Sequence, residues 1–115
     1  NGRKFDDALC YSFYPIDLHT KDGVVPKHLK RGVVPTIPRG SLIPKGSTNL
    51  MVAGRCLSSD RYANSAARVQ ASCMGMGQAA ACTAVLAAKS STTPREVPLG
   101  EIHALLREHG AIVPS

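Results

Sequence analysis

The sequence predicts an α/β chain, which as an isolated piece would present as α+β. Three observations carry this. Residues 24–48 hold Pro26, Pro35, Pro38 and Pro44 among Gly32, Gly40 and Gly46, a density that excludes a helix. The run Asn49-Leu50-Met51-Val52-Ala53-Gly54 is short, apolar and stopped by a glycine, the pattern of a buried strand of a parallel sheet. From Ala71 to Ala88 no residue is charged and no proline intervenes, which predicts a helix of roughly 27 Å.

Taken in order, Ala8 to His19 mixes aromatic and branched residues with partial alternation, as a strand does, interrupted near Pro15. Lys21-Asp22-Gly23 is turn chemistry. Val33-Val34, Thr36-Ile37 and Ser41-Leu42-Ile43 are short extended pieces between prolines, so residues 24–48 read as irregular β structure crossing a surface. After the strand at 49–53 comes a polar connection over residues 55–70. Strand-to-helix loops usually take about 2–6 residues, and a longer one is usually functional.

The helix from Ala71 to Ala88 has no polar face, because Gly75, Gly77, Gln78 and Thr83 are spread around it. A helix apolar on every side is expected to be buried on every side. A membrane span is the rival reading. It is disfavoured because alanine and glycine outnumber large aliphatics and Gln70, Ser72, Gln78 and Thr83 are polar. Gly75, Ala79, Thr83 and Ala87 recur at i+4 and predict a smooth stripe for close packing. Residues 90–98 read as a Ser/Thr/Pro linker. Leu99, Ile102, Leu105 and Leu106 then mark an amphipathic helix, with Pro98 to open it and Gly110 to close it. His103 and His109 are expected to be solvated helix residues.

The net charge of +6 is uneven. Residues 1–68 carry 11 Lys/Arg against 5 Asp/Glu, whereas residues 69–115 carry 3 of each. Aromatics are too few to interleave with the basic residues, so a nucleic-acid platform is not expected and a solvated basic face is. Cys10, Cys56, Cys73 and Cys82 form no C-x-x-C pair, which argues against a metal site. Cys73 and Cys82, in an apolar helical stretch, suit small buried hydrophobes, and a reducing, cytoplasmic protein is expected. No signal-peptide pattern opens the chain, and Asn1 in place of Met fits a cut or processed chain.

Chemistry is expected where the 49–53 strand, Gly54, the long loop and the start of the uncharged helix meet. In open α/β sheets ligands bind at the carboxyl ends of strands, and a helix N-terminus offers free N–H groups and partial positive charge. Many α/β proteins share that pattern. No G-x-G-x-x-G accompanies it, since Gly75-Met76-Gly77 lies inside the predicted helix.

The ordered succession Tyr14-Pro15-Ile16-Asp17-Leu18-His19, Ser41-Leu42-Ile43-Pro44-Lys45-Gly46, Asn49 to Cys56, Ala67-Arg68-Val69 and Cys73-Met74-Gly75-Met76-Gly77-Gln78-Ala79-Ala80 resembles a known family. Pro94-Arg95-Glu96-Val97 and His109-Gly110-Ala111 fit as well. The family is that of FAD-dependent oxidoreductases related to fumarate reductases and succinate dehydrogenase flavoproteins, and the likeness is to its C-terminal region. It implies a two-domain, Rossmann-type flavoprotein whose dinucleotide-binding motif lies before Asn1. Residues 1–48 would be a β-rich segment returning from the substrate domain. Residues 49–89 would complete the FAD-binding domain, and 90–115 would be the linker and C-terminal helix. A proline that the family leads one to expect near Ala71 is absent.

On this resemblance FAD is the cofactor. Gly54 and Arg55 would pass near its ribityl or pyrophosphate, with Cys56 beside them. The backbone N–H groups of Val69, Gln70, Ala71 and Ser72 would face the isoalloxazine edge. Arg68 would lie near the ring to meet a carboxylate or move a proton, or else form an ion pair at the helix start. His19 would face the substrate, or else be a structural histidine, with Asp17 orienting it or capping a turn. Cys56 and Cys73 would contact the flavin or simply pack, with packing expected for both. The implied function is hydride transfer between a small organic substrate and flavin N5, and the partner is the remainder of the flavoprotein chain. The alternatives are a non-catalytic basic α+β module that binds nucleic acid or a protein, and a flavoprotein with non-redox or tRNA-modifying chemistry. The isolated chain is expected to be inactive and either poorly stable or self-associating, for want of cover over the uncharged helix. Sedimentation analysis tests this, and a tight monomer burying that helix unaided would count against it.

Overall fold

A computed structural model describes residues 5–12, 16–27, 31–32, 34–60, 63 and 67–114, with residues 16–20 and 24–27 described by their backbone. The architecture is mixed α+β, with two two-stranded antiparallel sheets and two main helices among the described residues. Strand β1 (Ala8–Tyr11) pairs with β4 (Thr36–Pro38), placing Cys10 opposite Ile37 and Tyr11 opposite Thr36, with an irregular step between Ala8 and Cys10. The pairing runs on one residue, where the Ser12 amide donates to the Pro35 carbonyl at 2.9 Å.

Strand β2 (Ile16–Thr20) and β3 (Gly23–Lys27) form a hairpin around Lys21-Asp22, the turn read from the sequence. Gly23 closes it at φ +122°, a conformation that L side chains rarely adopt. Pro26 is tolerated opposite Asp17 because a two-stranded sheet consists only of edges. The hairpin packs chiefly on itself. The radius of gyration is 14.5 Å, against about 13 Å for a compact chain of this length. The expected break at Pro15 lies outside the described residues.

After β4 a 3-10 turn (Arg39–Leu42) is tied to the start of the chain. The Arg39 amide donates to the Asp7 carbonyl at 2.8 Å, and the Gly40 amide to Asp7 Oδ2 at 3.0 Å. The run at 49–53, expected to be a buried parallel strand, is not a strand. It is extended, with Ala53 at φ −143°, ψ 157°, but its one ladder-like bond is from the Val52 amide to the Leu42 carbonyl at 2.8 Å. Leu50 is 53% exposed. The apolar pattern favours extended backbone, but a strand also needs a ladder of bonds to a neighbour about 4.8 Å away, and the single bond to Leu42 does not make one.

Helix α1 (Gln70–Lys89) is one residue longer at each end than the predicted span. Its buried residues are Ser72, Met76, Ala79, Cys82, Thr83 and Ala87, so the predicted stripe through Ala79, Thr83 and Ala87 does form the packed face. That face meets β1 and helix α2 (Leu99–Glu108). Thr83 returns its hydroxyl to the Ala79 carbonyl at 2.8 Å, which satisfies it inside the core. The rest of the core comes from Leu9, Ile37, Leu42, Leu57, Val97, Ile102 and Leu106. Burial on every side does not occur. Met74 is 75% exposed and Val85 46%, and Ala81, Ala84 and Ala88 share the open side. On length and composition alone α1 is apolar enough to cross a membrane.

Both helices end in the same way. At α2 the Gly110 amide bonds to the Arg107 carbonyl and the Ala111 amide to that of Leu106, with Gly110 at φ +79°. At α1 the Ser91 amide bonds to Ala88 and the Thr92 amide to Ala87, with Ser91 at φ 52° in the place glycine usually takes. His103, expected to be solvated, is half-buried, and its Nε2 lies 2.8 Å from the Ala8 carbonyl, joining α2 to β1. Arg39 donates to the Val97 carbonyl, and at 3.5 Å to that of Pro94, so the β4 end clasps the loop between the helices. Replacing Ser91 with glycine removes a left-handed strain of about 1 kcal/mol and should stabilise the chain by about that amount, measured as a raised urea midpoint at unchanged slope.

Candidate functional site

The amino end of α1 abuts a second 3-10 turn, Gly54–Cys56, which follows the extended 49–53 segment. The juxtaposition expected from the sequence therefore forms, although the segment leading into it is not a strand. Gly54 sits at φ +85°, and a Cβ built there would lie 3.9 Å from Cys73 Sγ. The left-handed backbone, not crowding, is what calls for glycine at this point. The Leu57 amide closes the turn on the Gly54 carbonyl at 3.2 Å.

Arg55 is exposed, and its Nε donates to the Arg68 carbonyl at 3.1 Å, which ties the turn to the residue just before the helix. The Cys73 thiol is also directed at that carbonyl, at 3.7 Å. Arg68 itself is half-buried. Val69 is the N-cap of α1 at φ −74°, ψ 152°, and its carbonyl accepts the first helical bond from the Cys73 amide at 3.0 Å. The amides of Val69, Gln70, Ala71 and Ser72 precede that bond and have no intrahelical acceptor. Val69 makes no side-chain capping bond to them, and the first turn carries no acidic residue. Gln70 and Ala71 are exposed, whereas Ser72 is 4% exposed.

Gly54, Arg55, Cys56, Arg68, Val69, Gln70, Ala71 and Ser72 are thus brought into one neighbourhood. His19 lies on the β2–β3 hairpin with its backbone opposite Val24, and that hairpin has no extensive packing on α1 or on the Gly54–Cys56 turn. The side chains of His19 and Asp17 are outside the described residues. Cys56, expected to pack in the interior, is exposed, and its thiol donates to the Ala53 carbonyl at 3.1 Å. A three-residue turn has no inward face to hold it. Cys73 is half-buried, as expected for a residue in the first turns of a packed helix.

One buried pair escapes sequence reading. Ser12 Oγ and Ser72 Oγ lie 3.0 Å apart, both inside the core and 60 positions apart in the chain. Ser12 follows directly on β1, and Ser72 is the third residue of α1. No local pattern signals the pairing. Beside it a cleft of about 250 Å³ opens between β1, α1 and the C-terminal segment, lined mainly by apolar groups that include Leu9, Tyr11, Gln78 and Ile112. Among the described residues no group of three or more His, Cys, Asp or Glu side chains could hold a metal ion.

A model of the family described as FAD dependent oxidoreductase matches residues 1–106. No curated protein matches the chain. No solved structure matches it either. The chain belongs to the FAD-dependent oxidoreductase family, a family of flavoprotein oxidoreductases whose cofactor is FAD. The site suits such a group. Helix-start amides with no acidic residue in their own turn favour the electron-rich edge of a flavin, and a side-chain-free Gly54 allows close approach beside them.

The cysteines separate by environment. Burial pushes the Cys10 thiol from 9.0 up to about 11 and raises that of Cys82 as well. Iodoacetamide at pH 8 should therefore label exposed Cys56 first and Cys10 only after unfolding, which peptide mass mapping reads directly. The folded state holds the Cys10 proton more tightly than the unfolded state. Its contribution is then fully present below about pH 9 and lost as pH rises towards about 11. Urea unfolding across that window should show a smaller loss of stability in Cys10→Ala than in the parent.

Proposed function

We propose that this chain forms the flavin-facing part of an oxidoreductase of the fumarate reductase and succinate dehydrogenase type, acting on a small organic substrate. The supporting observation is the contact between the left-handed Gly54 turn and the uncapped, acid-free amino end of α1. When bound, FAD supplies the redox chemistry, with hydride passing between a substrate carbon and flavin N5. The amides of Val69, Gln70, Ala71 and Ser72 bind and stabilise negative charge on the pyrimidine edge of the ring system. Gly54 and Arg55 hold the ribityl or pyrophosphate portion, and Cys56 borders it. Arg68 adds positive charge where a carboxylate substrate or reduced ring accumulates negative charge. His19 serves the substrate side, where imidazole binds a carboxylate or moves a proton.

The dinucleotide-binding, Rossmann-type part of the flavoprotein supplies the site for the ADP portion and covers the open side of α1. Met74 and Val85 on that side support the second role. This chain alone is then inactive. Four free thiols support a reducing, cytoplasmic setting.

The test uses the whole flavoprotein. It should purify yellow with a flavin absorption spectrum, and a colourless protein that takes up no added FAD refutes the reading. In the loaded protein Arg68→Gln should lower the two-electron reduction potential by about 30 mV, a tenfold loss of preference for the reduced ring. An unchanged potential would return Arg68 to a purely structural part at the helix start.

A further inference from the structure

We propose that Ser12 is a positioning residue for the flavin-facing end of α1, acting through Ser72. The inference rests on the flavin reading above and deepens it. The two hydroxyl oxygens lie 3.0 Å apart with Ser12 2% and Ser72 4% exposed, so water does not compete for either. Ser12 is itself fixed, because its amide donates to the Pro35 carbonyl at 2.9 Å where β1 leaves β4. Ser72 occupies the first turn of α1, and its amide is among those without an intrahelical acceptor.

Among the described residues no other buried side-chain pair ties the first turn of α1 to the β1–β4 sheet. Val69, the N-cap, offers no side-chain oxygen, and no capping bond is made there. Gln70 and Ala71 are exposed. The Ser12–Ser72 bond is thus a buried polar tie between the first turn of α1 and the end of the β1–β4 sheet. A fixed direction matters at such an end, because amides stabilise developing charge only when they are oriented before the charge appears.

The pair also carries a surplus proton. Two hydroxyls that share one hydrogen bond use one proton between them, and the second hydroxyl keeps its own. Among the described residues no other acceptor engages either oxygen.

The experiment is a double-mutant cycle in the whole flavoprotein with Ser12→Ala, Ser72→Ala and the double variant, plus Ser12→Thr to restore the hydroxyl. One reading is the flavin reduction potential. Each single alanine variant should cost about fivefold in preference for the reduced ring, the worth of one hydrogen bond and about 20 mV for a two-electron couple. The double variant should cost no more than either single one, and Ser12→Thr should recover most of the loss. The second reading is amide hydrogen exchange over residues 73–76, the first amides of α1 that have helical acceptors. It should quicken about fivefold in Ser12→Ala and Ser72→Ala without a matching change in α2, and it needs no flavin. A potential and an exchange rate both unmoved by Ser12→Ala overturn the proposal. Additive losses overturn the action through Ser72. If the parent protein binds no flavin, the flavin reading fails, and the exchange arm alone then decides whether Ser12 holds this helix end.

Discussion

Helix α1 carries no charge between Arg68 and Lys89, so nothing in its own surface chemistry keeps it in water or gives it an orientation. Its placement has to come from what packs against it. The stripe from Ser72 through Met76, Ala79 and Thr83 to Ala87 supplies that contact with small side chains. At Gly75 the helix lies against Cys10, since an added Cβ would meet Cys10 Cβ in ordinary contact at 3.6 Å. β1, α2 and the Gly54–Cys56 turn all take their positions from this helix.

The parts of the fold governed by local rules were legible in the sequence. Pro98 and Gly110 bracket α2, the lysine, aspartate and glycine at 21–23 make the hairpin turn, and the proline-dense stretch stays free of α-helix. Errors arose where structure depends on partners far away in the chain. The apolar run at 49–53 encodes extended backbone, but ladder pairing belongs to two segments, and one segment cannot specify it. The solvated reading of His103 failed because the Ala8 carbonyl arrives from the other end of the chain. Ser12 with Ser72, and Arg39 with Val97, are equally distant pairs of ordinary residues.

The candidate site was legible for a related reason. It is built mainly from backbone, namely a left-handed glycine and a helix start stripped of caps and carboxylates. Such features leave a trace as absences in the sequence: no side chain at 54 and no acid in the first turn of α1. What the sequence concealed is how the helix start is held. The Arg68 carbonyl receives Arg55 Nε from one side and the Cys73 thiol from another, which braces the chain just ahead of the amides.

Arg39 reaches from the β1–β4 region to the loop between the helices, while Asp7 binds the two residues Arg39 and Gly40 and His103 binds Ala8. These ties cross between the N-terminal strands and the helical pair at several points. Opening one half strands half-buried carbonyls in the other, so the two halves share a single fate on denaturation. Among the described residues the β2–β3 hairpin pairs chiefly with itself and shares none of these ties. Segments with fewer ties to the rest of a fold open at lower free energy, so local opening is expected there before the block around α1.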